Sequence, residues 1–180
     1  MDGESSNGGF VAAGLAQIPP ALQAVVDAGD LSGFVTLIWR KGEVAQVNII
    51  GHRDIASGAP TTRDTLFRIA SMTKPVTSIA ALMLLEDGKL RLEDPITKWL
   101  PEFSGMQVLK DAAGPIEDTY PAARDITVED LMTHRAGLAY AFTSMGPIAQ
   151  AHEDRLGPPL GTPLTPDAWL KALGSLPLSY

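Results

Sequence analysis

The chain has 180 residues, 45% of them hydrophobic and 19% charged, which suits one soluble globular domain or part of a larger one. A formal charge of −7 without any Lys/Arg-rich run argues against nucleic-acid binding, and no apolar run approaches the ~20 residues of a membrane span. The absence of cysteine excludes disulfides, thiolate metal sites and cysteine catalysis. The first nine residues are acidic and read as a flexible start, not as a secretory signal, which needs a basic region followed by an apolar one. The default reading is a cytoplasmic protein, with a periplasmic or secreted one left open should a leader have been removed.

Pro19 and Pro20 predict a short helix with Leu22, Val25 and Val26 as its apolar stripe and Gly29 near its end. Residues 34–39 and 44–50 are apolar, β-rich runs joined by a short polar connection containing Gly42, which predicts a β-hairpin. Residues 65–69 are a further candidate strand. Residues 71–87 form the most helical stretch, with Gly88 placed to end it. Val76, Ile79, Leu82, Met83 and Leu84 cover more than one of its faces, and a helix apolar nearly all round is expected to be buried. Pro75 belongs in a first turn, where its missing N–H costs nothing, so the helix is expected to begin at Ser71.

Further on, Asp94-Pro95 reads as a helix start and Thr127-x-x-Asp130 as a capping box. Thr165-Pro166-Asp167 opens a helix that Gly174 closes, while the proline- and glycine-dense residues 146–166 read as an ordered loop or lid. Residues 89–180 thus read as short helices and long loops. Trp39, Trp99 and Trp169 read as core or helix-packing residues. Two or three strands make a marginal sheet, and the apolar residues 176–180 lack a polar tail. Both observations suggest that about half a domain lies outside this polypeptide; a small helical protein with one hairpin is the plainer alternative.

Ser71-Met72-Thr73-Lys74 is the single S-x-x-K of the chain. A serine hydroxyl is a poor nucleophile until a neighbouring base takes its proton. Residues three apart on a helix share a face, so Lys74 can set its amine beside the Ser71 hydroxyl. The helix N-terminus favours negative charge developing there, and desolvation by an apolar helix would favour a neutral lysine amine. A capping serine followed by a surface lysine is the bland reading of the same residues. His134 has no G-x-S-x-G partner, since the segment from Phe142 to Gly146 lacks the first glycine. His52 and His152 show no metal-ligand spacing.

The segment from Asp64 through Phe67-Arg68-Ile69-Ala70-Ser71-Met72-Thr73-Lys74 to Pro95 resembles the family VIII carboxylesterases, relatives of class C β-lactamases and D,D-peptidases. Ile126-Thr127-Val128 through His134-Arg135-Ala136-Gly137-Leu138 resembles a second stretch of that family. The resemblance implies an α+β, β-lactamase/D,D-peptidase-like fold: an antiparallel sheet flanked by helices plus an all-helical region, of which this chain is the N-terminal part. Residues 20–70 would form the α/β region, 71–88 the nucleophile helix and 89–180 the helical region.

The resemblance further implies hydrolysis of short-chain carboxylic esters through an acyl-Ser71 intermediate, Lys74 acting as base, with no metal or organic cofactor. The substrate would be a small-molecule ester, with neither nucleic acid nor membrane as partner. The family's catalytic tyrosine sits in a segment this chain does not contain, so a complementary C-terminal segment or second chain is expected to carry it. Tyr180 is read as a packing residue, His134 as structural, and Tyr140 as a candidate border of the acyl pocket, loop packing being its alternative. An amide-cleaving D,D-peptidase or β-lactamase, or an inactive binding homologue, remains the alternative function.

Overall fold

Lys41 and Gly42 both take positive φ, 52° and 83°, and so reverse the chain in two residues with the twist that adjacent antiparallel strands require. In this computed structural model, which describes residues 5–158 and 161–180, the turn joins the two longest strands. The chain forms two compact units, Met1–Ile69 and Ala70–Tyr180.

In the first unit, a two-residue strand β1 (Ser5–Ser6) pairs with β2 (Phe10–Val11), followed by α1 (Ala12–Leu15) and α2 (Ile18–Asp27). The expected flexible start is therefore a small hairpin from Ser5 onward; its first four residues lie outside the described ones. The stripe of α2 is as expected: Leu22, Val25 and Val26 are half-buried while their neighbours are exposed, and α2 packs on β4 (Glu43–Asp54). The order of the main sheet is β3 (Gly33–Arg40), β4, then β5 (Ala59–Pro60), all antiparallel. Asn48, paired in register with Thr36, donates to Thr36 Oγ1 at 2.8 Å and accepts from Gln46 Nε2 at 2.7 Å, which explains how its amide is buried in a hairpin. Among the described residues β3 pairs with β4 alone, so its other edge is unpaired.

Residues 65–69 do not form the expected strand. Thr65 Oγ1 accepts from Thr62 N at 2.8 Å and Thr65 N donates to Thr62 O at 3.1 Å, so a local turn takes the backbone groups with which this segment would enter a ladder. Leu66 is left 97% exposed. Trp39 is exposed as well, contrary to its reading as a core residue.

The second unit begins with a 3₁₀ turn (Ala70–Met72) that runs into α3 (Thr73–Glu86). The α-helix proper thus starts two residues later than expected, with Pro75 still in its first turn. Gly88, at φ 68°, ends it, and Lys89 N returns to Leu84 O at 2.9 Å. The expected burial of α3 is corrected: Ser78, Ala81 and Leu85 form one half-buried stripe, but none of its residues is buried, and Val76 is 64% exposed. A single 3.6-residue stripe is all that the described chain covers.

Residues 89–180 are not all-helical. β6 (Gln107–Leu109) pairs with β7 (Thr119–Pro121), and Leu178 adds alongside, its N donating to Gln107 O at 2.8 Å and its O accepting from Leu109 N at 2.9 Å. Short strands in this half escape sequence reading because three residues carry too little alternation. Leu176 and Leu178, taken as an apolar end awaiting cover, are buried in this unit's own core with Phe103, Val108 and Leu173. Asp94-Pro95 does not open a helix with Pro95 at its first position; Pro95 is the cap of a 3₁₀ turn (Ile96–Lys98), and Trp99 beside it is half exposed.

The capping box at Thr127 forms as expected and starts α4 (Val128–Met132). The loop or lid reading of residues 146–166 is corrected by α5 (Pro147–Leu156), which buries Ile148, Ala151, His152 and Leu156. Their i, i+3, i+4, i+8 spacing after a first-position proline was the missed signal; Pro159 and Leu160 lie outside the described residues. Last, α6 (Pro166–Gly174) is capped by Thr165, whose hydroxyl accepts from Ala168 N, and Trp169 packs partly buried on the core.

Candidate active site

Ala70 precedes the S-x-x-K segment at φ 43°, a left-handed conformation uncommon for a residue with a Cβ and costing about 1–2 kcal/mol. Strained backbone of this kind gathers at functional sites. It leads into the 3₁₀ turn that holds Ser71. Ser71 does not cap α3; Met72 occupies that position with helical dihedrals and no side-chain cap bond. The Ser71 hydroxyl is therefore left for another partner, and Lys74 Nζ donates to Ser71 Oγ over 2.9 Å. The three-residue spacing explains the contact, since both side chains leave the same face at the start of the helix. Ser71 and Lys74 are both exposed, so the apolar desolvation expected around them is not supplied by the described residues.

Tyr140 lies near the same amine. Lys74 Nζ lies 5.9 Å from the centre of the Tyr140 ring, within reach of a cation–π contact. Tyr140 in turn packs on Phe142 with ring centres 5.0 Å apart and planes at 32°. The loop that carries them is fixed at both ends. Upstream, Gly137 takes φ 75°, and a Cβ there would stand 2.6 Å from Tyr180 O, so only glycine fits. Gly137 O accepts from Ser179 N at 2.8 Å. Downstream, Tyr140 O accepts from Thr143 N at 3.2 Å and Ser144 N at 3.0 Å.

Asp130 steadies the helix that leads into this loop. It is 5% exposed, and Arg124 grips both carboxylate oxygens. That guanidinium, followed by the Thr127 backbone and hydroxyl, holds its carboxyl far below the usual carboxylate range despite burial.

The remaining residues singled out from sequence fall outside this cluster. His134 is exposed at φ 58°, ending α4 in a left-handed turn, and its carbonyl accepts from the Tyr180 hydroxyl at 3.3 Å. Tyr180, expected to pack, is 66% exposed and makes that bond instead. His152 is buried with Nδ1 2.9 Å from Ile148 O, a helix-internal contact. Phe142, which packs on Tyr140, was not singled out from sequence, although a second aromatic two positions beyond Tyr140 in a loop is a readable signal.

Residues 20–180 match the family model described as Beta-lactamase, and the chain belongs to that family. Its fold is accordingly β-lactamase-like. Over 160 residues it is 56% identical to Protein Rv1367c of Mycobacterium tuberculosis, covering 89% of this chain and 39% of that protein. Over 172 residues it is 36% identical to Esterase EstB of Burkholderia gladioli, covering 92% of this chain and 40% of that one. The solved structure of EstCE1, described as a hydrolase with promiscuous acyltransferase activity, matches with a TM-score of 0.73 at 28% identity, over 93% of this chain and 42% of that chain. The chain thus spans about two fifths of the length of these relatives. They agree with the resemblance to family VIII carboxylesterases drawn from the S-x-x-K and His134-Arg135-Ala136-Gly137 segments.

Proposed function

We propose that this chain carries the nucleophile part of a serine hydrolase that cleaves short-chain carboxylic esters of small molecules through an acyl-Ser71 intermediate. The observation that supports this most is the 2.9 Å contact between Lys74 Nζ and Ser71 Oγ at the start of α3. It stands in a chain 36% identical to a protein named an esterase. In this scheme the Lys74 amine takes the hydroxyl proton as Ser71 Oγ adds to the ester carbonyl carbon. The same amine returns the proton to the departing alcohol oxygen as the carbonyl C–O bond breaks. Water then attacks the acyl-serine by the reverse proton route, releasing the acid and restoring the hydroxyl. The positive end of the α3 dipole suits the negative oxygen of each tetrahedral intermediate. No metal or organic cofactor enters the scheme.

The base partner of Lys74, a tyrosine, and further strands of the sheet would come from polypeptide other than this chain, as a complementary C-terminal segment or a second chain. The unpaired edge of β3, the exposed apolar residues of α3 and the two-fifths coverage of the relatives support this. The test is covalent labelling of the protein expressed from its complete reading frame. A fluorophosphonate should add once, on the peptide holding Ser71, and Ser71→Ala should abolish both the adduct and p-nitrophenyl ester turnover. Label on another serine, or undiminished labelling of the variant, would overturn the assignment.

A further inference from the structure

Loop tips are usually polar, yet the nine residues from Leu138 to Gly146 carry Tyr140, Phe142 and Met145 with their side chains exposed. The first two are ordered against each other: their rings sit 5.0 Å apart, and the Tyr140 carbonyl is held by two backbone donors. The Tyr140 ring also faces Lys74 Nζ, which is itself bonded to Ser71 Oγ. Ser71, Lys74, Tyr140 and Phe142 therefore form a continuous chain of contacts in one unit, running from a hydroxyl to an exposed apolar surface.

Resting on the reading of Ser71 as the acyl carrier, we propose that Phe142, backed by Tyr140, is a specificity-determining residue that seats the distal carbons of the acyl chain. In this proposal an acyl group on Ser71 Oγ, next to the Lys74 amine, directs its first carbons to the Tyr140 ring, and carbons further along meet Phe142. An acetyl group is too short for that contact. A hexanoyl group covers the exposed ring face and removes apolar surface of both partners from water. Aromatic rings serve this purpose at low entropic cost, having two side-chain torsions to fix, and the turn at Tyr140 has already ordered the backbone. Phe142 touches neither the hydroxyl nor the amine, so its effect is confined to acyl-chain selection.

The experiment compares Phe142→Ala and Phe142→Leu with the unaltered protein, expressed from its complete reading frame, on p-nitrophenyl acetate and p-nitrophenyl hexanoate. Phe142 is 68% exposed in this chain, and leucine retains most of its apolar area, so the leucine variant controls for loss of packing. The alanine variant should lose about tenfold in kcat/KM on hexanoate, the scale of two methylenes, and less than about twofold on acetate. The leucine variant should recover most of the hexanoate rate. Equal losses on both esters, or an unchanged hexanoate-to-acetate ratio, would overturn the role of Phe142 while leaving Ser71 intact. Turnover of either ester by Ser71→Ala would instead overturn the reading on which the role rests.

Discussion

Replacing Asp130 by alanine removes two devices at once, because its carboxylate closes the capping box of α4 and anchors Arg124. The reciprocal bonds are Thr127 N to Asp130 Oδ2 at 2.9 Å and Asp130 N to Thr127 Oγ1 at 3.3 Å. Loss of the acidic half of such a cap costs about 1 kcal/mol. The charge-assisted bonds to Arg124 add about 1–2 kcal/mol, at the low end of their range because the guanidinium side is 63% exposed. A total of about 2–3 kcal/mol corresponds to a fall in Tm of roughly 5–10 °C for a chain of this size. Urea unfolding followed by circular dichroism measures the difference directly.

The pH dependence gives the sign. The folded carboxyl is held well below its unfolded value of ~3.9, so its contribution is fully present above that value and is lost as pH falls toward the folded one. The gap between the unaltered protein and Asp130→Ala should be constant from pH 7 to 5 and narrow below about pH 4. Asp130→Asn, which keeps one acceptor for the Thr127 N–H, should recover about half of the loss. A gap under about 0.5 kcal/mol at pH 7, the scale of ordinary surface changes, or a gap that widens on acidification, would refute the reasoning.

Lys74→Ala should leave the fold intact and slow acylation by at least ~100-fold, the lower scale of positioned base catalysis; single-turnover release of p-nitrophenol reads this step. Lys74→Arg should be nearly as poor because guanidinium stays protonated, and an active arginine variant would rule out the amine as base. Gly137→Ala should destabilise the protein by about 2–3 kcal/mol, combining the left-handed penalty with loss of the Ser179 bond, and should lower ester turnover by displacing Tyr140. A thermal midpoint within about 2 °C of the unaltered protein would show that the close approach to Tyr180 O is dispensable.

Several features were legible because short-range chemistry decides them. Lys41-Gly42 turns the hairpin, Gly88 ends α3, and Thr127 with Asp130 starts α4; in each case a few adjacent residues hold both halves of the interaction. Ser71 and Lys74 were readable for the same reason, since a three-residue spacing on a helix brings them together whatever surrounds them. The strand expected at residues 65–69 is replaced at its start by a turn between Thr62 and Thr65, and α5 was overlooked because its flanking prolines and glycines masked a regular stripe.

Sequence by itself thus determined that Ser71 and Lys74 lie side by side, where caps set helix boundaries, and the family to which the chain belongs. Only the tertiary structure decided that Leu176 and Leu178 fill the chain's own core, that α3 leaves its apolar residues exposed, and that Tyr140 meets Lys74. Those outcomes depend on contacts between residues tens of positions apart: Leu178 with Val108, Tyr140 with Lys74, Gly137 with Tyr180. Periodicity reports that an apolar face exists. Which surface covers it, or whether any surface of the same chain does, is set by packing of the assembled elements.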